Sequence, residues 1–340
     1  MTGAAGFIGR SLSSRLRNAG NEVIGADLHP PSRPAVPFHH LDVTDGAAVR
    51  ELLLTTRPDR VIHAAALVDD RGDPKDFRAV NVEGTQAVFE ASKDAGVQRF
   101  VHISSIAALG TNPGPRADER SPLLLRAGNP YFDTKAASEQ WVRARSRELE
   151  LPLVVIRPGD VYGPGSVPWV DRPVELMTRG VPVLVGGGRG FVAHCHVENL
   201  VDGIVAALES DRSPGSVLTF TDGERTSYGA YFEALRVAAG VKRPLRSIPR
   251  RAALVMAAAF EAGGRIARRP PPLTVAAVRY VSRQTHYSIE AAEETVGYRP
   301  RLSLVGGMAK LRRHFAETRG QATAGPNPIG SEPDDPGAER

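Results

Sequence analysis

Cysteine is nearly absent from this chain: Cys195 is its single thiol. One cysteine supports neither an intramolecular disulfide framework nor a multi-cysteine zinc site. Long apolar runs are missing too, and the longest clean one, Ala252–Phe260, falls far short of the ~20 residues that span a bilayer. The N-terminus has no charged lead and no apolar signal core, so a cytoplasmic protein is the expectation. Lysine is scarce, with only Lys75, Lys93, Lys135, Lys242 and Lys310 among 43 cations. Those cations are scattered among 38 acidic residues for a net charge of +5. With no long basic block and no stacking aromatics beside one, nucleic acid is not an expected partner. There is no internal repeat.

What is present is the alternation of a layered α/β chain. The 340 residues, 41% of them hydrophobic, suffice for one large domain or a domain plus a lobe. Strand candidates are Glu22–Asp27, Pro37–Val43, Arg60–Ala64, Arg99–Ser104 and Leu153–Pro158. Between them lie amphipathic stretches at Phe7–Ala19, Asp45–Thr55, Asp76–Ala95 and Tyr131–Arg147. Strand–helix alternation with mostly apolar strands predicts a doubly wound parallel sheet covered on both faces. This first domain is expected over residues 1–158. Residues 159–318 read as a smaller substrate lobe with segments returning to the sheet. Its short strands are expected at Pro182–Val185, Val192–His196 and Ser216–Thr221, and its helices near 198–209, 227–239, 250–267 and 303–314. Residues 319–340 are Pro/Gly-rich and polar, the pattern of a disordered tail.

The chain opens on Thr2-Gly3-Ala4-Ala5-Gly6-Phe7-Ile8-Gly9 and runs straight into a helical pattern. In a dinucleotide-binding loop the first glycine makes the tight turn and the second lets backbone N–H groups approach the pyrophosphate. The third allows close helix–strand packing. Asp27, at the end of the next strand, is placed to accept from the adenosine ribose hydroxyls. Such a loop ordinarily follows a buried central strand, and only Met1 precedes Thr2. The expectation is an extra upstream strand in the native product, poor folding or weak NAD binding without it, and a strand-wide seam between Val23-Ile24 and Val61-Ile62.

Tyr131 and Lys135 stand four apart in a helical stretch opened by Asn129-Pro130, so phenol and ammonium share a face. A free tyrosine has a pKa near 10 and needs a neighbouring positive charge to act as a base near neutrality. Ser104-Ser105 ends the apolar run Phe100–Ile103, at the edge of a parallel sheet where ligand chemistry collects.

With these residues the chain resembles the extended short-chain dehydrogenase/reductase superfamily, whose fold is a Rossmann-type sheet with a C-terminal substrate lobe. The resemblance rests on the glycine loop, Asp27, Leu41-Asp42-Val43, His63-Ala64-Ala65-Ala66, Asn81–Thr85, Ser104-Ser105, Tyr131–Lys135 and Arg157–Gly165. It implies Tyr131 as the proton-transfer residue, Lys135 as its pKa tuner and ribose ligand, and Ser105 as the partner of the substrate oxygen. It also implies that Asp42 and Val43 flank the adenine, while Ala64, Ala65, Ala66 and Pro158 line the nicotinamide half. Gly3, Gly6, Phe7, Ile8, Gly9, Asn81, Ser104 and Val161 complete the implied cofactor set. NAD is the expected cofactor and NADP the less favoured one, with Arg10 and Arg33 the residues able to reverse that choice. Within the superfamily, dehydratases carry an acidic pair where this chain has Ile106-Ala107-Ala108-Leu109. Sugar-nucleotide epimerases carry an Arg-Asp where it has Val192-Ala193. Ser104-Ser105-Ile106, His196–Leu200, Thr221–Glu224 and Val296–Pro300 resemble the 3β-hydroxysteroid dehydrogenase branch instead. That likeness implies oxidation of a hydrophobic secondary alcohol, or reduction of its ketone, in a homodimer. A sugar-nucleotide epimerase and a non-catalytic NAD sensor are the alternatives.

His194 and His196 alternate onto one strand face, but no partner is spaced to complete a metal site, and a structural role is expected. Cys195 reads as a small buried residue. The arginine-framed stretch Ala252–Phe260 reads as a lobe helix packed on the core. Its alternative is a lipid-facing helix in peripheral membrane contact.

Overall fold

A computed structural model describes residues 1–31, 34–68, 72–267 and 271–323. The first half runs α1 (Phe7–Asn18), β1 (Gly25–Asp27), β2 (Phe38–His40), α2 (Gly46–Thr56), β3 (Arg60–His63), α3 (Pro74–Arg78) and α4 (Gly84–Asp94). It continues through β4 (Arg99–Ile103), β5 (Arg116–Ala117), α5 (Pro130–Leu149) and β6 (Leu153–Pro158). The second half holds β7 (Asp160–Tyr162), α6 (Arg172–Arg179), β8 (Leu184–Val185), β9 (Phe191–Val192), β10 (His194–His196) and α7 (Val197–Glu209). After these come β11 (Val217–Phe220), β12 (Thr226–Ser227), α8 (Tyr228–Ala238), β13 (Ser247–Ile248) and α9 (Arg250–Ala267). The last elements are α10 (Val275–Val281), β14 (His286–Tyr287), α11 (Glu290–Val296) and α12 (Leu304–Thr323).

The main sheet is parallel, in the order β11-β6-β4-β3, with β1 and β2 paired beyond it. Side chains alternate across it, as a period of two demands. Ile62, Val101 and Val154 face α1 and α7 through Leu12, Leu200 and Ile204. Val61, Phe100 and Val155 face the other way, onto Val88 and Phe89 of α4 and Val142 of α5. Both faces are therefore buried, which is why these strands read as continuous apolar runs. A third cluster, with Tyr162, Met177, Tyr231, Leu235 and Leu311, forms the lobe core.

Thr2 bridges the two parts of the sheet, pairing with Ala26 on one side and His63 on the other. Its amide donates to Ile62 O at 3.0 Å, and Ala26 N donates to Met1 O at 2.8 Å. Beside Met1 lies a cavity of about 620 Å³, lined by Val23, Ile24, Val61, Ile62, Val88 and Leu208 among others.

Two helices differ from expectation. The stretch 76–95 is helical as expected but not uniformly α: a π-helical turn at Ala79–Glu83 joins α3 to α4 without a break. A π-turn admits one extra residue per turn, often at functional sites, and here it holds Asn81, whose side chain bonds the Leu67 loop and Thr134 of α5. At the other end α12 continues to Thr323, so residues 319–323 extend a helix rather than start the tail. The remainder of that tail lies outside the described residues.

Candidate active site

The glycine loop folds as its spacing demands. Gly3 has φ +71°, and a Cβ there would lie 2.5 Å from Ala64 C and Ala65 N, so the turn tolerates no side chain. A Cβ on Gly9 would meet Gly3 O at 2.0 Å, which makes the third glycine the packing one. Gly6 caps α1, whose first turn carries no acid, leaving its backbone N–H groups for an anion. Phe7 and Ile8 are partly buried in that turn. Asp27 reaches back into the loop, accepting from Ala5 N at 3.0 Å through Oδ2 and from His29 N at 3.3 Å through Oδ1. Arg10 Nη1 donates to Ala5 O at 2.8 Å, beside that carboxylate; Arg33 lies outside the described residues. Asp42 closes its own turn through Thr44 N (2.9 Å) and Thr44 Oγ1 (2.7 Å), and Val43 is buried against Gly84.

The catalytic candidates gather at the C-terminal end of β4. Asn129 is the N-cap of α5, accepting from Tyr131 N (3.0 Å) and Phe132 N (3.3 Å), while Pro130 takes the first helical position. Asn129-Pro130 thus starts the helix and fixes Tyr131 in its first turn. One turn on, buried Lys135 donates from Nζ to Ile103 O at 2.8 Å. Ser105 caps the short 3₁₀ turn Ile106–Leu109, and its Oγ accepts from Ala107 N at 3.1 Å, which leaves its hydroxyl proton to donate. Burial lifts the Tyr131 phenol above its usual value; a hydrogen bond with Ser105 works against that rise, and the Asp160 carboxylate adds to it. Burial lowers the Lys135 ammonium to about 8, with Glu139 opposing the shift.

Other predicted residues turn out to hold the site together. Ser104 Oγ donates to Glu139 Oε2 at 2.7 Å. Asn81 ties three segments: its Oδ1 accepts from Leu67 N (2.7 Å), and its Nδ2 donates to Leu67 O (3.1 Å) and Thr134 Oγ1 (3.1 Å). That locks the loop after Ala64, Ala65 and Ala66 against the catalytic helix. Pro158 closes β6 opposite Phe220, and Val161 sits in β7 opposite Cys195. Buried His63 links Thr2 Oγ1 (2.8 Å) to Thr85 Oγ1 (2.9 Å). Burial, aided by the Lys135 charge, pushes its pKa down to about 3, so it bridges as a neutral ring.

Sequence reasoning gave no role to several residues that the fold brings here. Glu139 and Arg157 form a buried two-point ion pair, Nη2 to Oε1 at 2.6 Å and Nε to Oε2 at 3.0 Å. Asp160 collects Arg283 Nη2 (2.5 Å), Tyr280 Oη (2.7 Å) and Ala193 N (2.9 Å). The Arg283 guanidinium lies over the Tyr280 ring at 3.7 Å, and Tyr280 in turn packs on Phe132, next to Tyr131. Arg157 and Asp160 stand in a motif the sequence singled out, whereas nothing local marks Arg283 as the distant partner of Asp160.

His194 is held at both ring nitrogens, by Asp222 Oδ2 and Thr226 Oγ1, each at 2.9 Å. His196 Nδ1 caps α7 at Glu198 N, 3.2 Å away. Cys195 between them is fully buried, which raises its thiol pKa.

A model of the NAD dependent epimerase/dehydratase family matches residues 1–218. The chain belongs to that family. It is 28% identical to a 3-beta-hydroxysteroid dehydrogenase of Mycolicibacterium neoaurum, over 93% of this chain and 91% of the relative. It is 29% identical to a 4-hydroxy-2-methyl-3-oxo-4-farnesyl-3,4-dihydroquinoline-1-oxide ketoreductase of Stigmatella aurantiaca, over 92% and 95% of the two chains. The fold matches a UDP-glucose 4-epimerase of Thermotoga maritima with a TM-score of 0.76, at 23% identity, covering 94% of this chain and 98% of that one. Parallel sheet and family together bear out the expected fold, and the expectation of an NAD-dependent oxidoreductase stands with them.

Proposed function

We propose that this protein interconverts a hydrophobic secondary alcohol and its ketone, with NAD as the preferred dinucleotide. The residues fit such a cofactor: the Gly3 cradle excludes any side chain, the first turn of α1 offers free N–H groups, and Asp27 stands beside them. When bound, the nicotinamide ring supplies hydride exchange at the carbinol carbon. In the oxidative direction Tyr131, as phenolate, takes the hydroxyl proton, and in reduction it returns one. Ser105, hydrogen-bonded to Tyr131 in the free protein, turns its hydroxyl proton to the substrate oxygen when substrate binds. Lys135 holds a positive charge one turn from the phenol, the counterweight that burial and Asp160 make necessary.

The observation that carries the choice of substrate is Arg283. A nucleotide diphosphate needs cations to meet it, yet the guanidinium that the lobe brings up beside the Tyr280–Phe132 stack is sealed by Asp160 and tyrosine rings. Aromatic faces remain for the substrate. The dehydrogenase and ketoreductase relatives, both named for apolar ring compounds, agree with this reading. Following nicotinamide absorbance over sterols, long-chain 3-keto compounds and UDP-sugars tests it. Turnover of UDP-sugars with no net change in NADH, and none of the apolar compounds, would replace it with the epimerase reading.

A further inference from the structure

Helix α9 buries only one side. Ala253 and Ala257 pack against Val278 of α10, with Leu254, Ile248 and Val275 closing around them. The opposite side repeats at helical spacing through Arg251, Val255, Ala258, Ala259, Ala262 and Ile266, all exposed. Val255 is 72% exposed and Ile266 87%. A surface helix ordinarily turns polar side chains outward. On this stripe nothing beyond Arg251 can hydrogen-bond or carry charge. The adjacent acid, Glu261, does not relieve it, because its Oε1 accepts from Val275 N at 2.8 Å.

The charge around this face is one-sided. From Lys242 to Arg251 the chain holds five lysines and arginines and no acid. Lys242, Arg243, Arg246, Arg250 and Arg251 are all exposed at the entrance to α9. Among the described residues no carboxylate pairs with Lys242, Arg250 or Arg251.

We propose that this face docks on an anionic lipid surface, its apolar stripe entering the acyl boundary while the flanking cations meet the headgroups. A second copy of this chain is the poorer occupant. A two-fold interface would set these same cations against each other, whereas anionic headgroups complement them. The docked helix is also the one that supports α10, the element that carries Tyr280 to Phe132. The surface stands on its own charge and exposure and does not depend on the substrate reading.

Co-sedimentation of the full chain with phosphatidylcholine vesicles, with and without phosphatidylglycerol, tests the proposal without measuring turnover. The expected result is binding to the anionic vesicles alone, weakening as salt rises. Arg250→Glu with Arg251→Glu, and separately Val255→Glu with Ile266→Glu, should each lower the bound fraction by roughly tenfold. Both pairs are exposed, so unchanged circular-dichroism melts should accompany the loss. Equal binding to both vesicle types, variants that bind like the parent, or a dimer that dissociates on Val255→Glu would each overturn the proposal.

Discussion

Glu139 and Arg157 meet face to face inside the protein, two charge-assisted hydrogen bonds joining the catalytic helix α5 to the central strand β6. Both side chains are fully shielded from water. Because Ser104 donates to the same carboxylate, this pair sets how far the Tyr131–Lys135 face stands from the end of β4.

Breaking that pair on one side leaves an uncompensated buried charge. Glu139→Gln is expected to destabilise the protein by about 3–5 kcal/mol in denaturant melts. The double change Glu139→Leu with Arg157→Met should cost less than the single one, since no charge is then stranded. A double variant weaker than Glu139→Gln would show that the pair's contribution is net attraction rather than mutual neutralisation.

Tyr131→Phe should lower kcat by roughly 100-fold or more while dinucleotide affinity stays near the parent value, because the lost hydroxyl acts on a proton in the transition state. Ser105→Ala should reduce kcat less and leave the Ala107 amide without its acceptor. A Tyr131→Phe enzyme retaining more than about a tenth of the turnover rules out the acid–base assignment.

Lys135 makes stability depend on alkaline pH. Its ammonium titrates at about 8 in the folded chain against an ordinary 10.5. Between those values the unfolded chain binds the extra proton, so this group's contribution to stability rises as pH rises through the window. Lys135→Met should abolish the rise, and a melt series from neutral to alkaline pH should show a parent-minus-variant difference growing by roughly 3 kcal/mol. A flat difference would mean the amine is not desolvated in solution.

Asp27→Ala should narrow any preference for NAD over NADP. It removes the carboxylate that a 2′-phosphate would face and leaves Ala5 N without its 3.0 Å acceptor. The ratio of kcat/KM with the two dinucleotides decides it. A parent enzyme that prefers NADP would assign the ribose contact to Arg10 or Arg33.

Asn81→Ala should raise the dinucleotide Kd with little change in kcat at saturation, because all three of its contacts brace the Leu67 loop against Thr134 and none reaches Tyr131 or Ser105.

Local signals were legible in the sequence and distant ones were not. Leu153–Pro158 reads as a buried strand because every residue in it but Arg157 is apolar, and β6 has those same bounds. The glycine loop and the Tyr131–Lys135 spacing are likewise conveyed by neighbours along the chain. The π-turn at Ala79–Glu83 escapes because no proline or glycine within it marks a departure from the surrounding helix. Glu139–Arg157 and Asp160–Arg283 escape for another reason. Their members lie 18 and 123 residues apart, so only the folded sheet reveals that each charge has a mate.

Asp160 has a consequence for how the molecule comes apart. Its carboxylate is held by Arg283 and Tyr280 from the far end of the chain and by Ala193 N from the lobe, while its own amide donates to Ala193 O. Pulling α10 and the segment after it away from β7 would leave the Asp160 carboxylate and the Arg283 guanidinium each without its partner. Opening along that seam is therefore disfavoured, and β7, β10 and α10 should exchange their amide hydrogens as one unit rather than piecemeal.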